Sequence, residues 1–196
     1  MIDCFAGIGG NVIAFAQSNR WKRVYAIERD PKALACAKHN AEIYGVQDKI
    51  SWYEGDCFSI LTNELADLAQ HSIIFASPPW GGESHILLRE HAGSLTAAGP
   101  GYRSDMVFDL SKMQPYTLSD LLEPFRKLAR DVALYLPRTS DMRQLAAEAE
   151  GDGRTTVMHY CMEGASKVDY AALSLRLHLL TNPQAVCAYY GAFKFP

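Results

Sequence analysis

Ser77-Pro78-Pro79-Trp80-Gly81-Gly82 brings a hydroxyl and an indole together on a turn stiffened by two prolines. The apolar run before it, Ile73-Ile74-Phe75-Ala76, reads as a short buried strand. Proline fixes φ and has no N–H to give, so the strand stops there. Ser77 and Trp80 are then held just past a strand's carboxyl end, where open α/β sheets bind ligands. Such a turn can grip a flat heterocycle, hydrogen-bonding its exocyclic amine and stacking on its face. The same residues could also form a tight turn around a core tryptophan, and the rest of the chain decides between the two.

A second cluster lies at the start of the chain. Asp3-Cys4-Phe5-Ala6-Gly7-Ile8-Gly9-Gly10 places glycines at a strand-to-helix turn, where the backbone can pass close to a ligand. An acid, Glu28, ends the next strand about 20 residues on, a spacing that suits a carboxylate accepting both hydroxyls of an adenosine ribose. A dinucleotide enzyme would use the same acid, but would want a third glycine where Val12 stands, to admit a pyrophosphate. Asp3, inside the turn, would repel a pyrophosphate and suits a cationic ligand with an amino group. Asp56, after the third strand, is placed to accept an adenine amine. S-adenosylmethionine, with its sulfonium and ammonium, meets all three acids. A nicotinamide-dependent oxidoreductase is disfavoured by Asp3 and by the absent third glycine.

These groups need a frame. Strands are expected at the start of the chain to Phe5, and over Arg23–Ile27, Lys49–Tyr53, Ser72–Ala76, Asp131–Leu136, Thr155–Met162 and Ala185–Tyr190. Helices are expected over Val12–Gln17, Pro31–Tyr44, Phe58–Ala69 and Leu118–Arg130, and from Asp141 or its neighbour Ser140 to Glu150. Asp30 is a good N-cap with Pro31 at the first helical position, and Gly45 is a stop. The alternation predicts an α/β fold: a Rossmann-like, seven-stranded, mostly parallel sheet with helices on both faces and an antiparallel final strand. The last two strands, with no long helix clearly between them, are expected to pair as a closing hairpin. Gly81 to Pro115 reads as a long loop of the kind that forms a functional lid. Glu163 to Gln184 has no clear assignment.

Composition narrows the class. The 196 residues, 48% hydrophobic and 21% charged, fit one globular domain with a sizeable core. The net charge of −3 argues against a broad non-specific nucleic-acid surface, so any nucleic-acid contact should be local. Five cysteines without a CxxC pair point to buried free thiols. The histidines have no metal-ligand spacing, so no metal site is expected. No apolar run approaches the ~18 residues of a membrane span.

With both clusters in view, the chain resembles the trimethylguanosine synthase family of RNA cap hypermethylases, which are class I S-adenosylmethionine-dependent methyltransferases. The matching pieces are Asp3 to Asn11, Ala26 to Pro31, Asn40 to Gly45, Gly55-Asp56, Ser77 to Gly82, Tyr135-Leu136-Pro137-Arg138 and Tyr189-Tyr190-Gly191. The resemblance covers nearly the whole chain in order. Ser-Pro-Pro-Trp-Gly-Gly is its specific motif, since related amino-methyltransferases usually carry Asn or Asp first and Tyr or Phe fourth.

The resemblance implies transfer of a methyl group from S-adenosylmethionine to the 2-amino group of a 7-methylguanosine cap, leaving S-adenosylhomocysteine. It implies that Asp3, Phe5, Gly7, Gly9, Asn11, Glu28, Asp56, Cys57 and Ser77 hold the cofactor. Ser77, Pro79, Trp80, Gly81 and Arg138 would bind the cap, and Ser77, Pro78 and Trp80 would act in catalysis. Arg103, Lys112 and Lys167 are further candidates for the cap phosphates, with solvated surface charge as their other reading. The implied partners are capped small nuclear and nucleolar RNAs and their ribonucleoprotein proteins, met as a monomer in the nucleus, nucleolus or cytoplasm. The chain departs from the family at Glu28, commonly Asp, at Glu83-Ser84-His85, and in an apparent insertion over Glu163 to Gln184. The family's helical segment upstream of the first strand is expected to be missing, leaving 1–196 as a catalytic core.

Overall fold

The structure is a computed structural model and describes residues 1–80, 107–149, 156–162 and 183–193. Among these residues one sheet has seven strands: β1 (Ile2–Asp3), β2 (Val24–Glu28), β3 (Ile50–Glu54), β4 (Ile73–Ala76), β5 (Asp131–Pro137), β6 (Thr156–Met162) and β7 (Pro183–Tyr190). Their order across the sheet is β3-β2-β1-β4-β5-β7-β6. The first five run parallel, and β7 lies antiparallel to both of its neighbours. The last two strands do pair antiparallel, as expected, but β7 enters between β5 and β6 rather than adding to the edge.

The helices are α1 (Gly10–Gln17), α2 (Pro31–Ile43), α3 (Cys57–Asn63), α4 (Ala66–Ala69), α5 (Leu118–Leu128) and α6 (Met142–Ala147). Asp30 caps α2 through the Lys32 N–H at 2.9 Å, with Pro31 in the first turn, and Gly45 follows it at φ +65°. Two expectations are corrected. The single helix over Phe58–Ala69 is broken at Glu64 and Leu65, because the N–H groups of both bond the Ile60 carbonyl and end the first helix. The first strand is shorter than expected, yet its ladder runs on, with the Cys4 N–H on the Phe75 carbonyl and the Ala6 N–H on the Ile27 carbonyl.

Strand alternation divides the core between the two faces. Val24 and Ala26 of β2 pack with Val12, Ile13 and Ala16 of α1 and Ala41 of α2. Ile27 joins Leu61 of α3 and Leu121, Leu122 and Phe125 of α5 on the other face. Each of the Val, Ile, Leu and Phe side chains among them contributes roughly 1.5–3 kcal/mol on burial. Thr117 and Asp120 form a capping box that fixes where α5 begins.

The register sets the level of the site. Asp3 of β1 stands between Ala26 of β2 and Phe75 of β4. Two residues further along all three chains come Phe5, Glu28 and Ser77. The glycine turn into α1 and the Ser-Pro-Pro-Trp turn leave from this row, and between β1 and β4 the chain order reverses. A crevice opens at such a switch point.

Candidate functional site

A groove of about 460 Å³ opens at the carboxyl edge of the sheet, above the row just described. Phe5, Gly7, Glu28, Asp56, Cys57, Ser77, Pro78 and Pro79 line it, with Arg29, Asp30, Gly55, Pro115 and Tyr116. Eight of the residues expected from the sequence are thus brought together.

Glu28 does more than end a strand. Its Oε2 accepts the Gly7 N–H at 2.8 Å and its Oε1 accepts the Asp30 N–H at 2.9 Å. The carboxylate therefore ties the glycine turn to the start of α2. Gly7 has φ +54° and open space where a Cβ would stand, so the backbone itself faces the groove. Gly9, at φ +95°, sits against α2, where an added Cβ would meet the Ala37 Cβ at 3.2 Å. Its role is packing of the turn on α2, and it does not line the groove.

Asp3 is placed below the groove rather than in its wall. It is 0% exposed; Oδ1 accepts the Phe5 N–H at 3.1 Å and Oδ2 has no hydrogen-bond partner. Burial pushes its carboxyl up to about 7, against the Phe5 N–H, and the nearby Glu28 charge adds to the rise. Its Oδ2 remains an open acceptor for a donor or a cation.

Asp56 caps α3, its Oδ1 accepting the Ser59 N–H at 3.0 Å. Its Oδ2 accepts the Tyr116 hydroxyl at 3.4 Å. Tyr116 was not among the residues expected from the sequence. Its ring meets Phe58 edge-on at 5.3 Å and Phe5 at 6.1 Å, so it closes the groove from the segment before α5. The Thr-x-x-Asp capping box could have found it, because that signal puts Tyr116 at the residue before the helix cap, at the sheet's carboxyl edge.

Asn11 and Ser77 meet across the switch point, Asn11 Nδ2 donating to Ser77 Oγ at 3.3 Å. Pro78 is buried, Pro79 exposed and Trp80 half-buried. Trp80 is not part of the groove lining. Its Nε1–H donates to the Tyr135 carbonyl at 3.4 Å, and its ring stacks on Tyr135 with centroids 6.2 Å apart. Arg138 is half-buried, directly after β5, and is not part of the groove lining. Lys112 is an exposed partner of Asp109 at 3.3 Å, which matches its surface-charge reading. Gly81, Glu83-Ser84-His85, Arg103, Lys167 and most of the long loop lie outside the described residues. Cys4 and Cys57 are buried free thiols, while Cys36 is exposed. Among the described residues no group of three or more His, Cys, Asp or Glu could hold a metal ion, and no helix is long and apolar enough to cross a membrane.

The groove fits S-adenosylmethionine. Its carboxylates, with Asp3 beneath, outnumber its one cation, Arg29, which is the reverse of what a pyrophosphate needs. The comparisons with known proteins agree. The trimethylguanosine synthase of Schizosaccharomyces pombe is 32% identical over 168 residues, covering 85% of this chain and 62% of that protein. The trimethylguanosine synthase of Saccharomyces cerevisiae is 31% identical over 147 residues, covering 74% of this chain and 41% of that protein. The chain thus spans between two fifths and two thirds of these relatives' lengths. In fold it is similar to the METTL16 methyltransferase domain, with a TM-score of 0.60 at 14% identity over 98% of this chain and 71% of that one. A S-adenosylmethionine-dependent methyltransferase from Agrobacterium tumefaciens gives a TM-score of 0.58 at 14% identity, over 97% of this chain and 55% of that one. Residues 1–90 and 92–175 match the family described as RNA cap guanine-N2 methyltransferase, and the chain belongs to that family.

Proposed function

We propose that this chain transfers a methyl group from S-adenosylmethionine to the 2-amino group of a 7-methylguanosine RNA cap. The observation that carries the reading is the junction at Ser77. The motif's first three residues line the cofactor groove, while its fourth, Trp80, stands beside it on Tyr135. In this reading they supply acceptors for an amine and an aromatic plate for its ring at one end of an acidic groove.

In this reading Glu28 takes the ribose hydroxyls, Asp56 the adenine amine, and Phe5, Gly7 and Cys57 the walls around them. Asp3 supplies negative potential below the cationic part of the cofactor. Gly9 and Asn11 act through the turn and through Ser77. When bound, S-adenosylmethionine supplies a methyl group made electrophilic by its sulfonium.

The residues of the motif do the positioning. The cap base is a cation, and an indole stacked on a cationic ring gains about 0.5–2 kcal/mol beyond area burial. Trp80 therefore selects the methylated base over plain guanine. The 2-amino group is a poor nucleophile, because its lone pair is delocalised into the ring. The Ser77 hydroxyl, held by Asn11, and the Pro78 carbonyl accept its hydrogens and aim that lone pair. Alignment of this kind can lower a barrier by about 7–11 kcal/mol. The amine's proton is acidic once the nitrogen carries four bonds, and it leaves to water without a dedicated base. Arg138, Pro79 and Gly81 complete the cap site, with the guanidinium on the phosphates.

The substrates read in this way are capped small nuclear and nucleolar RNAs, met by a monomer in the nucleus. The test is methyl transfer from labelled S-adenosylmethionine to RNA capped with 7-methylguanosine or with plain guanosine, followed by nucleoside analysis. Label in 2,7-dimethylguanosine or its trimethyl form supports the reading. Equal labelling of both caps, or label on adenine or cytosine, would move the chain to another base amino-methyltransferase activity.

A further inference from the structure

Three consecutive residues of the glycine turn are held by groups from β2 and α2. The Gly7 N–H donates to Glu28 Oε2 at 2.8 Å. Gly9 lies so close to α2 that an added Cβ would meet the Ala37 Cβ at 3.2 Å. Between them, the Ile8 carbonyl accepts Asn40 Nδ2 at 2.9 Å. Ala33, Ala37 and Asn40 are spaced four and then three apart, so they form one stripe along α2. The stripe starts at Ala33 in the groove lining, passes Gly9 and ends at Asn40.

The Asn40 contact fixes the peptide between Ile8 and Gly9, whose N–H donates to the Ala6 carbonyl at 2.9 Å. Gly9 is at φ +95° and stands at the N-cap of α1, where it has no side chain to set how the helix begins. A glycine leaves several backbone conformations open there. The direction of this peptide is therefore set by an amide 32 residues further along the chain. Asn40 is half-buried and is not part of the groove lining, so it acts through the turn. We propose that Asn40 is a positioning residue for the cofactor, holding the Ile8–Gly9 peptide in the orientation that S-adenosylmethionine binds. The inference rests on the cofactor groove and does not depend on the cap as substrate. Its energetic basis is preorganisation. The bond is made before the ligand arrives, so its loss lowers the fraction of molecules whose turn is competent, and apparent affinity falls with that fraction.

The test is calorimetric titration with S-adenosylhomocysteine and with 7-methyl-GTP, beside a thermal melt and steady-state kinetics of each protein. Asn40→Ala should weaken S-adenosylhomocysteine binding by about threefold or more, as one lost hydrogen bond implies. Asn40→Asp keeps the size and shape but turns an oxygen toward the Ile8 carbonyl, so it should weaken binding further. Affinity for 7-methyl-GTP should stay within about twofold of the wild type in both variants, because the turn lies on the cofactor side. KM for S-adenosylmethionine should rise by the same factor as the loss of affinity. The kcat should stay within about twofold, because saturating cofactor draws the turn back to its competent form. A lower melting temperature with unchanged S-adenosylhomocysteine affinity would make Asn40 a structural residue and overturn the proposal. Equal losses for the two ligands would also overturn it. If Asn40→Ala does not fold, Asn40→Asp decides alone. A wild type that binds S-adenosylhomocysteine but not 7-methyl-GTP would reject the cap reading, while the S-adenosylhomocysteine affinities of the variants would still decide for or against Asn40.

Discussion

Asn11 Nδ2 donates a hydrogen bond to Ser77 Oγ at 3.3 Å, joining the glycine turn after β1 to the Ser-Pro-Pro-Trp turn after β4. The contact crosses the switch point of the sheet and fixes the hydroxyl that is proposed to receive the substrate amine. Asn11→Ala should cost about 0.5–1.5 kcal/mol of stability, the usual net worth of one hydrogen bond. The rate of methyl transfer should fall further than this, while affinity for S-adenosylhomocysteine stays within about twofold, because only Ser77 loses its orientation. Single-turnover kinetics beside a calorimetric titration checks the split.

Glu28 should be the residue on which cofactor affinity depends most. Glu28→Ala strips the Gly7 and Asp30 N–H groups of their acceptor, and would also remove the one proposed for the ribose hydroxyls. Loss of charge-assisted hydrogen bonds predicts a fall in S-adenosylhomocysteine affinity of about tenfold or more. Calorimetry showing unchanged affinity would remove Glu28 from the site. NADH should show no saturable binding in the same assay.

The buried Asp3 carboxyl makes stability depend on pH in a definite direction. Its value of about 7 in the folded chain lies above the ordinary 3.8, so the folded state holds the proton more tightly than the unfolded state. This contribution is full below about pH 4 and is lost as pH rises through about 7. Asp3→Asn stays neutral throughout. Its melting temperature should therefore gain on the wild type between pH 5 and pH 8. A parallel course for the two proteins would mean that Asp3 does not titrate there.

Tyr116 joins two roles that substitution can separate. Its hydroxyl reaches Asp56, and its ring packs between Phe5 and Phe58. Burial first, and then the Asp56 charge, raise the phenol, so it remains a donor at neutral pH. Tyr116→Phe keeps the ring and should weaken S-adenosylhomocysteine binding by only a few fold, since the hydroxyl acts through Asp56 and its 3.4 Å bond to that carboxylate is long. Tyr116→Ala opens the groove wall and should weaken it several times more. Equal effects of the two variants would assign the whole contribution to the hydroxyl.

Much of this site is legible in the sequence because strand ends carry it. Asp3, Glu28 and Ser77 follow apolar runs, and a parallel sheet brings such ends to one edge. Depth is not legible in the same way. Nothing in the spacing shows that Asp3 lies under the turn while Glu28 faces the groove; the register against Ala26 and Phe75 decides it. Tyr116 escaped because its approach to Asp56 spans 60 positions and depends on where α5 begins. The entry of β7 between β5 and β6 was equally hidden, since alternation shows that two strands pair but not which of them pairs with a third.

The Trp80 account is tested most directly by titrating the wild type, Trp80→Phe and Trp80→Ala with 7-methyl-GTP and with GTP, with a thermal melt of each protein. Trp80 is half-buried and stacked on Tyr135 at the sheet's carboxyl edge, so Trp80→Ala should leave the fold largely intact. A core tryptophan would instead cost about 3–5 kcal/mol on truncation to Ala. The wild type should prefer the 7-methyl nucleotide, Trp80→Phe should lose more affinity for it than for GTP, and Trp80→Ala should lose the preference altogether. Equal wild-type affinity for the two nucleotides, or unfolding of Trp80→Ala, would contradict the account and leave Ser77 to Trp80 as a turn around a core side chain.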